Sequence, residues 1–168
     1  MILAIDPGNK QSGYAILDTD YKPVDFGKID NTTLKSIIRQ AVWSKRVDRV
    51  VIEMVASYGM PVGETVFDTC VWIGRFTELI AQCPTQDTEI TYVKRKEYIV
   101  DLIGSVKAKD SNVIQYLIDR FAKDTPNRGK GTKDNEGWFH GFKADVWQAY
   151  AIAVWALDKE KKDGHDRI

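Results

Sequence analysis

Two acidic residues end short apolar runs: Asp6 closes Ile2-Leu3-Ala4-Ile5, and Glu53 closes Val50-Val51-Ile52. Such runs read as buried strands, where an unpaired carboxylate is costly to desolvate unless a partner or a metal compensates. Strand ends in an open α/β sheet are where sites form, because the loops there leave the edge open. Side by side on neighbouring strands, two carboxylates repel, and a divalent cation relieves that repulsion; Mg2+ prefers carboxylate oxygens and keeps several waters. A third acid, Asp145, stands near the start of the last helical stretch, where the helix dipole favours negative charge. Without chemistry, Asp6 merely shapes the Asp6-Pro7-Gly8 turn and Asp145 is an ordinary acid at a helix start.

The elements that must position these residues follow from periodicity and turn residues. A strand over 2–6, the break at Pro7-Gly8-Asn9 and a second strand over 12–17 make an outgoing and a returning strand. Asp18 to Pro23 is a further turn signal, and 24–29 alternates as the third strand of a meander. Asn31 or Thr32 is positioned to cap a helix whose apolar positions are Leu34, Ile37, Ile38, Ala41 and Val42. A strand over 49–53, a helix over 64–82 and a strand over 89–93 imply a parallel crossover. Two shorter helices follow over 95–102 and 111–122. The segment 124–141 has four glycines, a proline and mixed charge, and reads as a mobile loop. A final helix over 142–157 carries Ala144, Ala149, Ala151, Ala153 and Ala156, small residues that let it approach a sheet closely and bring Asp145 to the strand ends.

Length and composition bound the rest. A chain of 168 residues with 43% hydrophobic content supports one buried core, so a single domain over 1–168 is expected. Lys plus Arg and Asp plus Glu each total 24, so net charge argues neither for nor against a polyanionic partner. Cys70 and Cys83 lack metal-site spacing and read as packed thiols of a reducing compartment. No basic leader opens the chain and no run approaches a spanning length. A cytoplasmic location without a membrane partner is the expectation.

The same residues resemble a known family. The opening ILAIDPGNKQSGYAIL is similar to the first strand, catalytic Asp, Pro-Gly turn and glycine-containing second strand of the RuvC-type Holliday junction resolvases, including the shorter phage-borne versions. VVIEMV resembles that family's central strand with its catalytic Glu, and ADVWQAYAIAVWAL resembles its last helix. The resemblance implies an RNase H-like α/β fold, a mixed five-stranded sheet flanked by helices. It also implies catalytic Asp6, Glu53 and Asp145, and hydrolysis of phosphodiester bonds by two metal ions, Mg2+ with Mn2+ as substitute. In the last helix the family has two acidic or His residues three apart. Here the second is Gln148, an amide that can coordinate through its oxygen but brings no negative charge.

A nucleic-acid partner also has support in the charge distribution. Between Tyr92 and Lys133 stand ten Lys or Arg against five acids. That local excess suits contact with several phosphates, although a solvated helical face has the same composition. Lys94, Arg95, Lys96, Lys107, Lys109, Arg128 and Lys130 are the expected DNA contacts. Tyr58, in the loop after Glu53, is the nearest aromatic for stacking on opened bases. A four-way junction has two-fold symmetry, so a homodimer is expected, with Trp72 and Phe76 of the 64–82 helix at its interface or in the monomer core. Two rivals stand beside the nuclease. Gln148 favours a catalytically weakened junction-binding or architectural protein, whereas a sugar-kinase or actin-like ATPase would require a second domain and phosphate loop.

Overall fold

Continuous apolar runs in the central strands build a sheet buried on both faces. In the computed structural model, which describes residues 1–57, 59, 61–84 and 88–165, β1 (Ile2–Asp6), β2 (Gln11–Leu17) and β3 (Pro23–Asp30) form an antiparallel meander. β4 (Arg49–Met54) and β5 (Glu89–Lys94) extend it in parallel, giving the order β3-β2-β1-β4-β5. Side chains alternate between faces along each strand. Leu3, Ile5, Tyr14, Ile16, Val50 and Ile52 pack under α1 (Asn31–Trp43) and α2 (Glu64–Ala81). Ile2, Ala4, Ala15, Leu17 and Val51 face α3 (Arg95–Ile103), α4 (Asp110–Phe121) and α5 (Val146–His165). Small residues meet there as expected: Ala4 and Ala15 share the core with Ala149, Ala153 and Ala156, and α5 lies across β1 and β2.

Three expectations are corrected by packing. The segment 124–141 is folded: a 3-10 turn at Pro126–Gly129 leads to a bridge between Gly131 and Glu136. Phe139 N–H then donates to the Gly129 carbonyl (2.8 Å). Phe139 is fully buried, and Trp138 stacks on Phe121 while its Nε1–H donates to Tyr150 Oη (2.9 Å). Both aromatics therefore dock on the body of the same chain. The last helix begins at Val146 instead of residue 142 and runs on to His165, because Ala144 takes a left-handed conformation (φ 45°) that a helix interior does not accept. In α2, Phe76 lies in the monomer core with Trp72 half-buried against it, whereas Phe67, Cys70 and Val71 face outward. Cys70 is thus exposed and only Cys83 is packed.

The turn after Asp6 is held by buried polar groups. Gly8 N–H donates to Ser12 Oγ (3.1 Å), Ser12 O–H donates to Asn31 Oδ1 (2.6 Å), and Asn31 Nδ2 donates back to the Gly8 carbonyl (2.8 Å). Ser12 and Asn31 are fully buried, so this closed ring satisfies groups that would otherwise be desolvated without partners. Asn31 is consequently not the helix cap; Asp30 is, its Oδ1 accepting from Thr32 N–H (2.8 Å). Replacing Asn31 with Ala leaves the Ser12 hydroxyl and the Gly8 carbonyl unpaired. Urea unfolding is expected to show a loss of about 1–3 kcal/mol, and an unchanged midpoint would show that the ring carries no stability.

Candidate active site

Strand register sets the candidate site in one line across the sheet. β1 and β2 pair Asp6 with Gly13, β2 and β3 pair Gly13 with Lys28, and β4 and β5 pair Glu53 with Val93. β1 and β4 run parallel with Ile5 opposite Ile52, so Asp6 and Glu53 are the next step of that ladder. Each lies two residues beyond a side chain of the α5 face, Ala4 and Val51, and so points to the same side. The two expected carboxylates are therefore neighbours at the ends of parallel strands, beneath the start of α5.

Gly13 decides how α5 arrives. A Cβ at that position would lie 2.6 Å from the Asp145 carbonyl oxygen and 2.9 Å from the Asp145 Cβ, closer than van der Waals contact permits. The missing side chain is the space into which the Asp145 backbone settles. The Asp145 carbonyl accepts from Ala149 N–H (3.0 Å), so the helix is entered at this residue. Its carboxylate reaches over the Gly13 gap to Lys28 Nζ (2.7 Å). Gln148, one turn on, is buried; its Oε1 accepts from Arg95 Nη1 (3.0 Å) and from Tyr98 Oη (3.2 Å). Tyr98 O–H also lies 3.2 Å from Glu53 Oε2, and Arg95 extends on its other side to an ion pair with Asp110.

The electrostatics of the pair are strained. Burial, then the charge of Glu53, then that of Asp145 hold the Asp6 carboxyl well above its ordinary range, against a smaller opposing pull from Arg95. Burial also raises Glu53, although Arg95 and the Tyr98 hydroxyl pull the other way. Burial and the neighbouring Glu53 charge raise Tyr98 strongly, so it remains a neutral donor. The Asp6 carboxylate receives no hydrogen bond among the described residues. A partly desolvated carboxylate lacking a donor and facing a second one fits a hard divalent cation, and Asp6 and Glu53 are the residues that could hold one. Among the described residues no three His, Cys, Asp or Glu side chains already stand as a cage, since Asp145 is turned to Lys28.

The other sequence candidates are spread around this line. Lys94 ends β5, Arg95 and Lys96 open α3, Lys107 lies in the turn before α4, and Lys109 caps α4. All except half-buried Arg95 are exposed. Arg128 and Lys130 are exposed on the folded segment before α5, with Arg128 Nη2 donating to Gln115 Oε1 (3.1 Å). Tyr58 lies outside the described residues. Sequence reasoning missed Lys28 and Tyr98, and noted Gly13 only as the glycine of the second strand. Lys28 and Gly13 join the site through cross-strand register, and Tyr98 through the packing of α3 against α5. The signal available for the first two was the meander itself, counted rung by rung.

A mixed five-stranded sheet of order β3-β2-β1-β4-β5 flanked by helices is an RNase H-like fold. Among solved structures, RuvC from Thermus thermophilus has this fold: TM-score 0.67, 12% identity, with 96% of each chain covered. T. thermophilus RuvC in complex with Holliday junction substrate gives TM-score 0.65 and 12% identity, over 96% of this chain and 95% of that one. No family profile and no curated protein matches the sequence. The fold of this chain is therefore that of RuvC.

The raised carboxyls have a consequence for stability without metal. A folded pKa above the unfolded value makes the contribution of Asp6 fully present below its unfolded pKa, about 3.9, and lost as pH rises through the folded one. At neutral pH its charge therefore destabilises the metal-free fold. Asp6→Asn is expected to melt higher than the wild type in EDTA at pH 8, with the difference shrinking toward pH 4. A variant that melts lower at pH 8 would show that the carboxylate is already well compensated.

Proposed function

We propose that the chain is a metal-dependent endonuclease that hydrolyses phosphodiester bonds in branched DNA, with a four-way junction as its substrate. The observation that carries this reading is the Asp6 and Glu53 pair at adjacent parallel strand ends, desolvated and mutually repelling, on the fold of RuvC. A bound Mg2+ or Mn2+ supplies an acidified water and a counter-charge for the phosphate. Asp6 and Glu53 would hold it, and Asp145, paired here with Lys28, would be the third carboxylate available to it. Tyr98 keeps Glu53 oriented through its hydroxyl. No Ser or Cys nucleophile is needed.

The DNA follows the exposed bases. Lys94, Lys96, Lys107 and Lys109 stand on or beside α3 and the start of α4, and Arg128 and Lys130 on the neighbouring folded segment. Their charges suit a phosphate track leading to the carboxylate line. The T. thermophilus protein is recorded with Holliday junction substrate, which supports a branched partner here, with Tyr58 as the residue proposed to stack on opened bases. Paired incision of a two-fold junction calls for two sites, and we place the homodimer contact on the outer face of α2, where Phe67 (61% exposed) and Val71 (52%) lie one turn apart.

The reading is tested with labelled four-way, three-way and linear duplex DNA in Mg2+ and Mn2+. The wild type is expected to cut the four-way substrate. Asp6→Asn and Glu53→Gln should each lose at least ~10³-fold in rate while junction affinity stays within about threefold, because binding rests on the phosphate contacts. Tight binding without cutting by the wild type in either metal would favour the junction-binding alternative that Gln148 raises. Equal cutting of all three substrates would mark a general nuclease. For the dimer, Val71→Glu is expected to shift sedimentation from two chains to one without loss of helicity, and an unchanged sedimentation coefficient would remove α2 as the contact.

A further inference from the structure

We infer that the Arg95 guanidinium occupies the place of a second metal ion, so that the site binds a single divalent cation and takes its other positive charge from the chain. This rests on the nuclease reading above and departs from the two-ion arrangement that the family resemblance implies.

The second ion has no ligands to receive it. Its expected donor on α5 is Gln148, whose amide oxygen already accepts from Arg95 Nη1 (3.0 Å) and lies 3.2 Å from Tyr98 Oη. An amide oxygen has two lone pairs: one takes the Arg95 N–H, and the other faces the Tyr98 hydroxyl, whose single proton lies between this oxygen and Glu53 Oε2. Gln148 is only 7% exposed, and its oxygen is engaged within the chain. It also brings no negative charge to offset a dication, whereas a neutral acceptor is well matched to a guanidinium. Arg95 is fixed from three sides: Nη1 reaches both Gln148 and the Tyr98 oxygen (3.1 Å), and Nη2 is paired with Asp110 at the start of α4. The group cannot be deprotonated in a protein, so its charge is permanent and repels any cation brought alongside it.

The same geometry gives Arg95 work to do. Its charge acts on Asp6 and on Glu53, lowering the cost of ionising each. Its side chain keeps 34% of its surface open, and the planar fork of a guanidinium suits two oxygens of a phosphate. With an ion held beside Asp6, Glu53 would stand between two positive charges, that ion and Arg95 across the Tyr98 hydroxyl. A carboxylate at 148 would suit a metal ion, whereas the amide of Gln148 accepts from the Arg95 guanidinium.

Counting bound Mn2+ by electron paramagnetic resonance tests this directly, taking as site ions those that disappear in Asp6→Asn. The wild type is expected to bind one site ion per chain. The double variant Arg95→Ala, Gln148→Asp should bind two, since it removes the charge and restores the carboxylate. Arg95→Ala alone should still bind one ion and cut a four-way junction at least ~10²-fold more slowly, with partial recovery in Arg95→Lys. Two site ions in the wild type would overturn the inference and leave the nuclease reading intact. No site ion in the wild type would overturn both, and a double variant still limited to one ion would show that Arg95 is not what excludes the second.

Discussion

Two carboxylates held on one rung of a sheet ladder are the constraint around which the molecule is arranged. Neither Asp6 nor Glu53 can move away from the other, because parallel pairing of β1 with β4 fixes their backbones in step and core side chains on both faces fix the strands. Burial removes the water that would screen them, and the result is a pair of carboxyls raised above their ordinary range. Such a feature lowers the stability of the empty protein. Persistence of this kind of cost at a strand end is the usual mark of a site that is completed by a ligand.

The surroundings divide into parts that hold the line in place and parts that balance its charge. The ring of Gly8, Ser12 and Asn31 fixes the turn that follows Asp6. Gly13 opens the gap through which α5 delivers Asp145, and a row of alanines lets the rest of that helix lie close on β1 and β2. Two cations flank the acids from opposite ends, Lys28 on Asp145 and Arg95 on Gln148. The charge balance within the site thus comes from β3 at one edge of the sheet and from α3 beside the other. Both are built by the same register and packing that position the acids.

The apolar runs of β1 and β4, the alternation of β3 and the helical period of α1, α2, α4 and α5 were legible because each is a local pattern set by which faces are buried. Asp6 and Glu53 were legible for a related reason: each interrupts an apolar run at its end. What could not be read locally depended on partners distant in the chain. Segment 124–141 has no periodicity, yet Phe139 is buried by an aromatic cluster with Phe142, Trp147 and Tyr150. Arg95 looked like one more member of a basic stretch, and only the packing of α3 against α5 turns it inward. The late start of α5 follows from the backbone of Ala144, which nothing in its residue type announces.

The central claim is that the Asp6 and Glu53 pair is incomplete without a cation, and the carboxyl groups themselves report on it. Titration of their side-chain ¹³C resonances by nuclear magnetic resonance, in EDTA and again in Mg2+, measures it most directly. The account predicts that Asp6 titrates above the ordinary carboxylate range in EDTA and falls well below that position when Mg2+ is added, with Glu53 moving in the same direction. A titration curve for Asp6 that is ordinary in EDTA, or that Mg2+ leaves in place, would contradict it.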